Sequence, residues 1–166
     1  MNTKIQQIQT ILGVKADNYW GPVSQATFDA VVRPFVETGL HEVMASSFAD
    51  PADVKAFKKC KATGNTDQQC FKVGDNGIGK WGDSTTVGVP MCALPPEDWQ
   101  PLGLKARGAR VEVKANGQTV ICELRDTMPK KANIKNGAGI DLNQAACAVL
   151  GLTPPIMVKA TWRWLT

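Results

Sequence analysis

One acid, Asp141, stands alone among uncharged residues in the stretch GAGIDLNQAACAVLGL, Gly137 to Leu152. Apolar Ile140 and Leu142 flank it, and burial between apolar neighbours raises a carboxyl pKa by desolvation. A carboxylic acid kept protonated near neutral pH can act as a general acid and deliver a proton to a leaving group. A second acid, Asp126, ends the run VICELRD and can orient a substrate or modulate the first. Both acids also have structural uses. Asp141 can accept from the free N–H groups of a following helix, and Asp126 can hold the DTMP turn in shape. Asp50, Asp75 and Asp83 lie in loops and are further sources of a second carboxylate.

Other chemistries are poorly provided for. GDNGIGKW, Gly74 to Trp81, has the spacing of a phosphate-binding loop, but Trp81 stands where Ser or Thr would hold magnesium and no helical pattern follows. It reads as a glycine-rich turn or a substrate-facing loop, with Trp81 either a sugar platform or a loop-packing aromatic. His41 is the only histidine and no C-x-x-C pair exists, so neither a metal site nor a cofactor is expected. The five cysteines are odd in number, which argues against a dense disulfide framework. Cys60 and Cys70 flank a polar segment and can pair in an oxidising compartment, whereas Cys122 and Cys147 lie in apolar patterns as small core residues. The net charge of +4 is too diffuse for nucleic-acid binding. Local lysine clusters, KAFKKCK and MPKKANIK, suit either solvated surface or attraction to a polyanion such as a bacterial cell wall. No apolar run is long enough to enter a membrane as a span.

The elements that must position these groups fall into two parts. Ile5, Ile8, Ile11 and Leu12 recur at helical spacing, with Gly13 as a stop. After the turn-rich KADNYWGP, a second helix begins at Pro22, presents Val23, Ala26, Thr27, Ala30 and Val31 on one face, and ends or kinks at Pro34. Beyond Gly39 the pattern changes. Val43 to Phe48 reads as a strand, PADVKAFKKC as a short helix from Pro51, and Lys61 to about Val89 as a long functional loop. Val111 and Val113 alternate before Asn116-Gly117, and Val120, Cys122 and Leu124 alternate after it, which predicts a hairpin. GIDL reads as a strand, Asn143 as the N-cap of a helix from Gln144 to Leu150, and Gly151 as its stop. IMVKATWRWL closes the chain as a strand with Trp162 and Trp164 on one side.

Two resemblances follow. IQQIQTILGVKADNYWGPVSQATFDAV resembles the small helical peptidoglycan-binding module of bacterial and phage wall hydrolases, with Asn18 where that family usually has a left-handed Gly. ASSF, CALP with PLG, ARVEVKANGQTVICELRDTMP and IDLNQAACAVLG together resemble the double-psi β-barrel of RlpA-like lytic transglycosylases and the expansin catalytic domain. The departures are DTMP for D-R-G-P, IDLN for I-D-L-S, and the absence of a histidine that many RlpA-like sequences carry near A-L-P-L-G. The resemblance implies a mainly β fold, a six-stranded double-psi barrel at 40–166 preceded by a helical wall-binding module at 1–39. It implies Asp141 and Asp126 as catalytic residues in a monomeric peptidoglycan-cleaving enzyme of the phage endolysin kind. In a lytic transglycosylase the sugar's own hydroxyl attacks, so one carboxyl can serve as acid and then base. Expected substrate contacts are Trp81, Asp83 and Ser47 in the barrel and Tyr19 and Trp20 in the module. The alternative is an expansin-like wall-binding protein that uses the same groove and cuts nothing. The N-terminus lacks a signal peptide's apolar core, so the expectation is synthesis in the cytosol and action on the wall after release.

Overall fold

A computed structural model of the chain describes residues 3–31 and 39–165, with the side chains of 29–31 excepted. It divides into two units, Met1–Leu40 and His41–Thr166.

In the first unit, α1 (Lys4–Ile11) starts at Thr3, whose hydroxyl accepts from the Gln6 N–H while the Gln6 side chain accepts from the Thr3 N–H. A second helix, α2, spans Pro22–Val31. The face expected to be apolar points the other way. Ile5, Ile8 and Ile11 are exposed, Ile11 at 84%, and Gln9 is fully buried. The reason is the intervening loop, whose polar groups need partners. The Gln9 amide donates to Asp17 Oδ1, the Tyr19 carbonyl and Ser24 Oγ, and accepts from the Asn18 N–H. On α2 it is likewise Ser24 that is buried, while Val23 and Ala26 are exposed. Asn18 takes the left-handed backbone, φ 65°. Pro34 lies outside the described residues.

The second unit is a closed six-stranded barrel. Its strands are β1 (His41–Ser47), β2 (Met91–Leu94), β3 (Arg110–Ala115), β4 (Gln118–Thr127), β5 (Ala138–Leu142) and β6 (Met157–Leu165), arranged β1-β5-β2-β4-β3-β6. β1 begins two residues before the run Val43–Phe48 and stops one short of Phe48. The pairs β1–β5 and β2–β4 are parallel and the other four antiparallel, so the chain makes the two ψ-shaped crossings of a double-psi barrel. Asn116 and Gly117, both at positive φ, turn the β3–β4 hairpin. Alternation then fills the interior with Ala45, Cys92, Leu94, Val111, Val113, Cys122, Leu124, Ile140, Leu142 and Trp162.

Outside the barrel, α3 (Pro51–Ala62) is capped by Asp50, which accepts from the Ala52 and Asp53 N–H groups. The segment expected to be loop from Lys61 contains a one-turn helix, α4 (Asp67–Cys70), tied back to α3 by the Cys60–Cys70 disulfide. A short helix α5 (Pro96–Trp99) follows β2, and α6 (Gln144–Val149) follows β5. Asn143 caps α6, accepting from the Ala146 N–H, and its amide donates to the Thr85 and Val89 carbonyls. No helix among the described residues is long and apolar enough to cross a membrane.

Candidate functional site

The register of four neighbouring strands sets one row of side chains across the sheet. Ser46 on β1 pairs with Asp141 on β5, Asp141 with Ala93 on β2, and Ala93 with Asp126 on β4. Ala93 alternates with the core residues Cys92 and Leu94, so the row lies on the face turned away from the barrel interior. Strict alternation along β4 would send Asp126 inward after Cys122 and Leu124. A bulge prevents this: Cys92 pairs with Leu124 and Ala93 with Asp126, leaving Arg125 as the extra residue. An equivalent slip on β5, where Met44 pairs with Ala138 and Ala45 with Ile140, brings Asp141 opposite Ser46.

The Ser46 hydroxyl donates to Asp141 Oδ1. Burial still dominates and raises the Asp141 carboxyl to about 6; the Ser46 hydrogen bond opposes this, and the charge of Asp126 adds to it. Asp126 Oδ1 accepts from the Lys80 N–H at 2.9 Å and the Thr127 N–H at 2.7 Å. Its carboxyl also rises to about 6, chiefly through burial, with the Thr127 N–H opposing and Asp75 adding. Asp75 and Asp53 stand close enough for their charges to act on Asp141, and burial raises both of them as well. The Cα atoms of Asp126 and Asp141 are two strand spacings apart, about 10 Å. Beside Asp141 is a cavity of about 400 Å³ lined by Met128, Pro129, Asn133, Ile134, Lys135, Asn136 and Asp141 itself.

The loop carrying Lys80 is pressed against β4. A Cβ at Gly79 would meet the Arg125 carbonyl oxygen at 2.1 Å, so only glycine permits the approach that brings the Lys80 N–H to Asp126. Trp81 follows directly. It packs edge-on against Trp99 with centroids 5.5 Å apart, and the Trp99 Nε1–H donates to Thr127 Oγ1. An aromatic pair therefore flanks residues 126 and 127, and it also packs against the core.

The remaining expected contacts fall elsewhere. Asp83 is not open to a substrate: Arg107 donates to both its oxygens, at 2.7 and 3.1 Å, and Arg125 lies 3.2 Å away. These guanidinium groups, Arg107 first, hold its carboxyl below the usual range. Asp83 is a loop clamp. Ser47 is on the opposite side of β1 from Asp141, and its hydroxyl accepts from the Ile156 N–H. Its neighbour Ser46 is the serine of the row. Nothing in ASSF distinguishes the two, because the choice depends on which residue pairs with Asp141. Tyr19 and Trp20 belong to the first unit, where Tyr19 is exposed and the Trp20 Nε1–H donates to Gln25 Oε1. Asp50 is spent as the α3 cap. Trp99 and Ser46 were not expected, and no local pattern marks them. Among the described residues, no group of three or more histidine, cysteine or acidic side chains could hold a metal ion.

No family model matches the chain. No curated protein matches it either. Among solved structures, similarity extends to a Streptomyces papain inhibitor, 22% identical, with 78% of this chain and 96% of that chain covered and a TM-score of 0.48. It extends also to an expansin of Clavibacter michiganensis, alone and as a mutant in complex with cellohexaose. These are 12% and 10% identical, both with a TM-score of 0.47, and each match covers 76% of this chain. The chain spans half the length of the expansin chains. The likeness in each case is one of fold.

Proposed function

We propose that the barrel binds a cell-wall polysaccharide along the row Ser46–Asp141–Ala93–Asp126 without cutting it, in the expansin-like manner. The observation that carries this reading is the row itself: a protonatable carboxyl, steadied by Ser46, beside a cavity in a sheet face whose other end carries Trp81 and Trp99. Protonated carboxyls engage sugar hydroxyls, and aromatic rings engage the apolar faces of sugar rings. One Asp126 oxygen is already held by two backbone N–H groups, which suits a group that orients a sugar rather than one that attacks it.

A second reading is favoured by one observation, the rise of the Asp141 carboxyl to about 6. A single acid of that strength suits a lytic transglycosylase, in which Asp141 protonates the glycosidic oxygen and then accepts the attacking hydroxyl's proton. Purified peptidoglycan separates the two. Binding without cutting predicts that wild type pellets with the wall and releases no soluble muropeptides. Release of anhydro-sugar products by wild type but not by Asp141→Asn would establish cleavage instead. A wild type that neither pellets nor releases soluble products would sink both.

A further inference from the structure

Segment 71–77 joins the Cys60–Cys70 bridge to the row of acids, and little besides the bridge holds it down. Its large apolar side chains, Phe71 and Val73, are each more than half exposed, and neither belongs to a core cluster. Phe71 leans on Phe57 with ring centroids 4.9 Å apart. The other contacts are made mostly by backbone. The Val73 and Gly74 N–H groups donate to the Cys70 carbonyl at 3.0 and 3.1 Å. Gly74 is seated on α3, where a Cβ would stand 2.2 Å from the Asp53 carbonyl oxygen. That seat places Asp75 beside the row: its Oδ1 accepts from the Gly77 N–H, and its charge acts on both Asp126 and Asp141. Beyond Gly77 the chain is anchored separately, by the Asp83–Arg107 clamp and by Trp81 on Trp99. The upstream end depends on the bridge, because Cys70 is the buried residue of α4 and the rest of that helix is exposed.

A segment with exposed side chains and few buried apolar contacts opens at low free-energy cost once its covalent tie is gone. We propose that the Cys60–Cys70 bridge is a redox latch on the glycan site. With the bridge closed, segment 71–77 lies beside Asp126 and Asp141 and completes the site; with the bridge open, the segment lifts and the site is incomplete. The opening reagent is a small dithiol. One of its thiolates attacks the half-buried Cys60 sulfur, the Cys60–Cys70 bond breaks, and Cys70 leaves as a thiolate that takes a proton from water. The second thiol of the reagent then closes on the first and frees Cys60 as a thiol. Lifting the segment removes the charge of Asp75 and part of the burial that dominates both acids. Asp53 on α3, Lys80 beyond the segment and Ser46 on β1 stay where they are and keep acting on the row. The inference rests on the glycan-binding reading and adds the regulation of the same site.

Carboxyl NMR titration of the full chain, with the bridge closed and after reduction by dithiothreitol, reads the latch directly. On reduction the Asp126 and Asp141 midpoints fall from about 6 toward the ordinary aspartate range, by about one pH unit. Hydrogen exchange quickens in segment 71–77 and stays slow in β3 and β4. Pelleting with purified peptidoglycan near pH 6 weakens about fivefold, the loss of protonated acid that such a shift implies. Gly74→Ala pushes the segment off α3 with the bridge still closed and lowers both midpoints in the same direction. Cys60→Ala combined with Cys70→Ala lowers them without reductant. Unchanged midpoints after reduction overturn the inference. Loss of protection throughout the barrel on reduction overturns it too, since the bridge would then hold the fold rather than the site. Shifted midpoints in a chain that never pellets leave the latch standing and overturn the glycan-binding reading alone.

Discussion

Asp126 and Asp141 titrate near pH 6 in the folded barrel, whereas an aspartate in an unfolded chain titrates near about 3.9. Between those values the native state holds more protons than the unfolded one. Stability contributed by these groups therefore falls as pH rises from about 4 to about 6 and then levels off. The penalty at neutral pH is on the order of 2 kcal/mol for each carboxyl. Asp141→Asn removes one such penalty and keeps an acceptor for Ser46. Its stability relative to wild type, from urea unfolding at several pH values, should be small near pH 4 and grow to on the order of 1–2 kcal/mol at pH 7. Any cleavage should be lost in the same variant, whereas binding should persist and become independent of pH; in wild type binding should decline as pH rises through about 6. Ser46→Ala removes the hydrogen bond that opposes the rise, so the Asp141 titration measured by carboxyl NMR should move to higher pH. An unchanged midpoint would show that Ser46 does not position the acid. Asp141 was legible in the sequence because its neighbours Ile140 and Leu142 announce burial. Ser46 was not, because it is selected by a pairing partner ninety-five residues away.

At the scale of elements, the site depends on a bulge and a pinned loop. The hairpin, the cap at Asn143 and the final strand all follow from local period and turn chemistry, which is why they were readable. The bulge at Arg125 was not, since it is defined by what β2 places opposite β4. The same applies to α1. Its isoleucine stripe has the right period for a core face, yet the loop's need for hydrogen-bond partners turns Gln9 inward. Gly79→Ala tests the loop. The added Cβ meets a backbone oxygen that cannot rotate aside, so the loop must lift and withdraw the Lys80 N–H from Asp126. The expected result is a loss of about 2 kcal/mol or more in denaturant unfolding, together with a shift in the Asp126 titration. Reduction of Cys60–Cys70, or its replacement by two serines, opens a short loop closure and should cost about 2–3 kcal/mol. Hydrogen exchange should then quicken first in the segment 63–80 that the bridge anchors.

For the whole molecule, the barrel has every strand paired on both sides and its own interior cluster. Residues 41–166 should fold alone, with a melting temperature within a few degrees of the full chain. A much lower value would mean that the first unit contributes to the barrel's stability. Pelleting of the two pieces on wall material would then assign the binding contribution of each.

The cysteines have a consequence for how the folded chain meets oxidants. Cys92, Cys122 and Cys147 are fully enclosed, and burial pushes the thiols of Cys92 and Cys147 up, Cys147 to about 11. A thiol that seldom ionises and cannot be reached does not take part in exchange. Once the barrel has closed, only one partner choice is left for oxidation. The chain can be assembled under reducing conditions and oxidised afterwards, and the odd number of thiols carries no danger of wrong pairing.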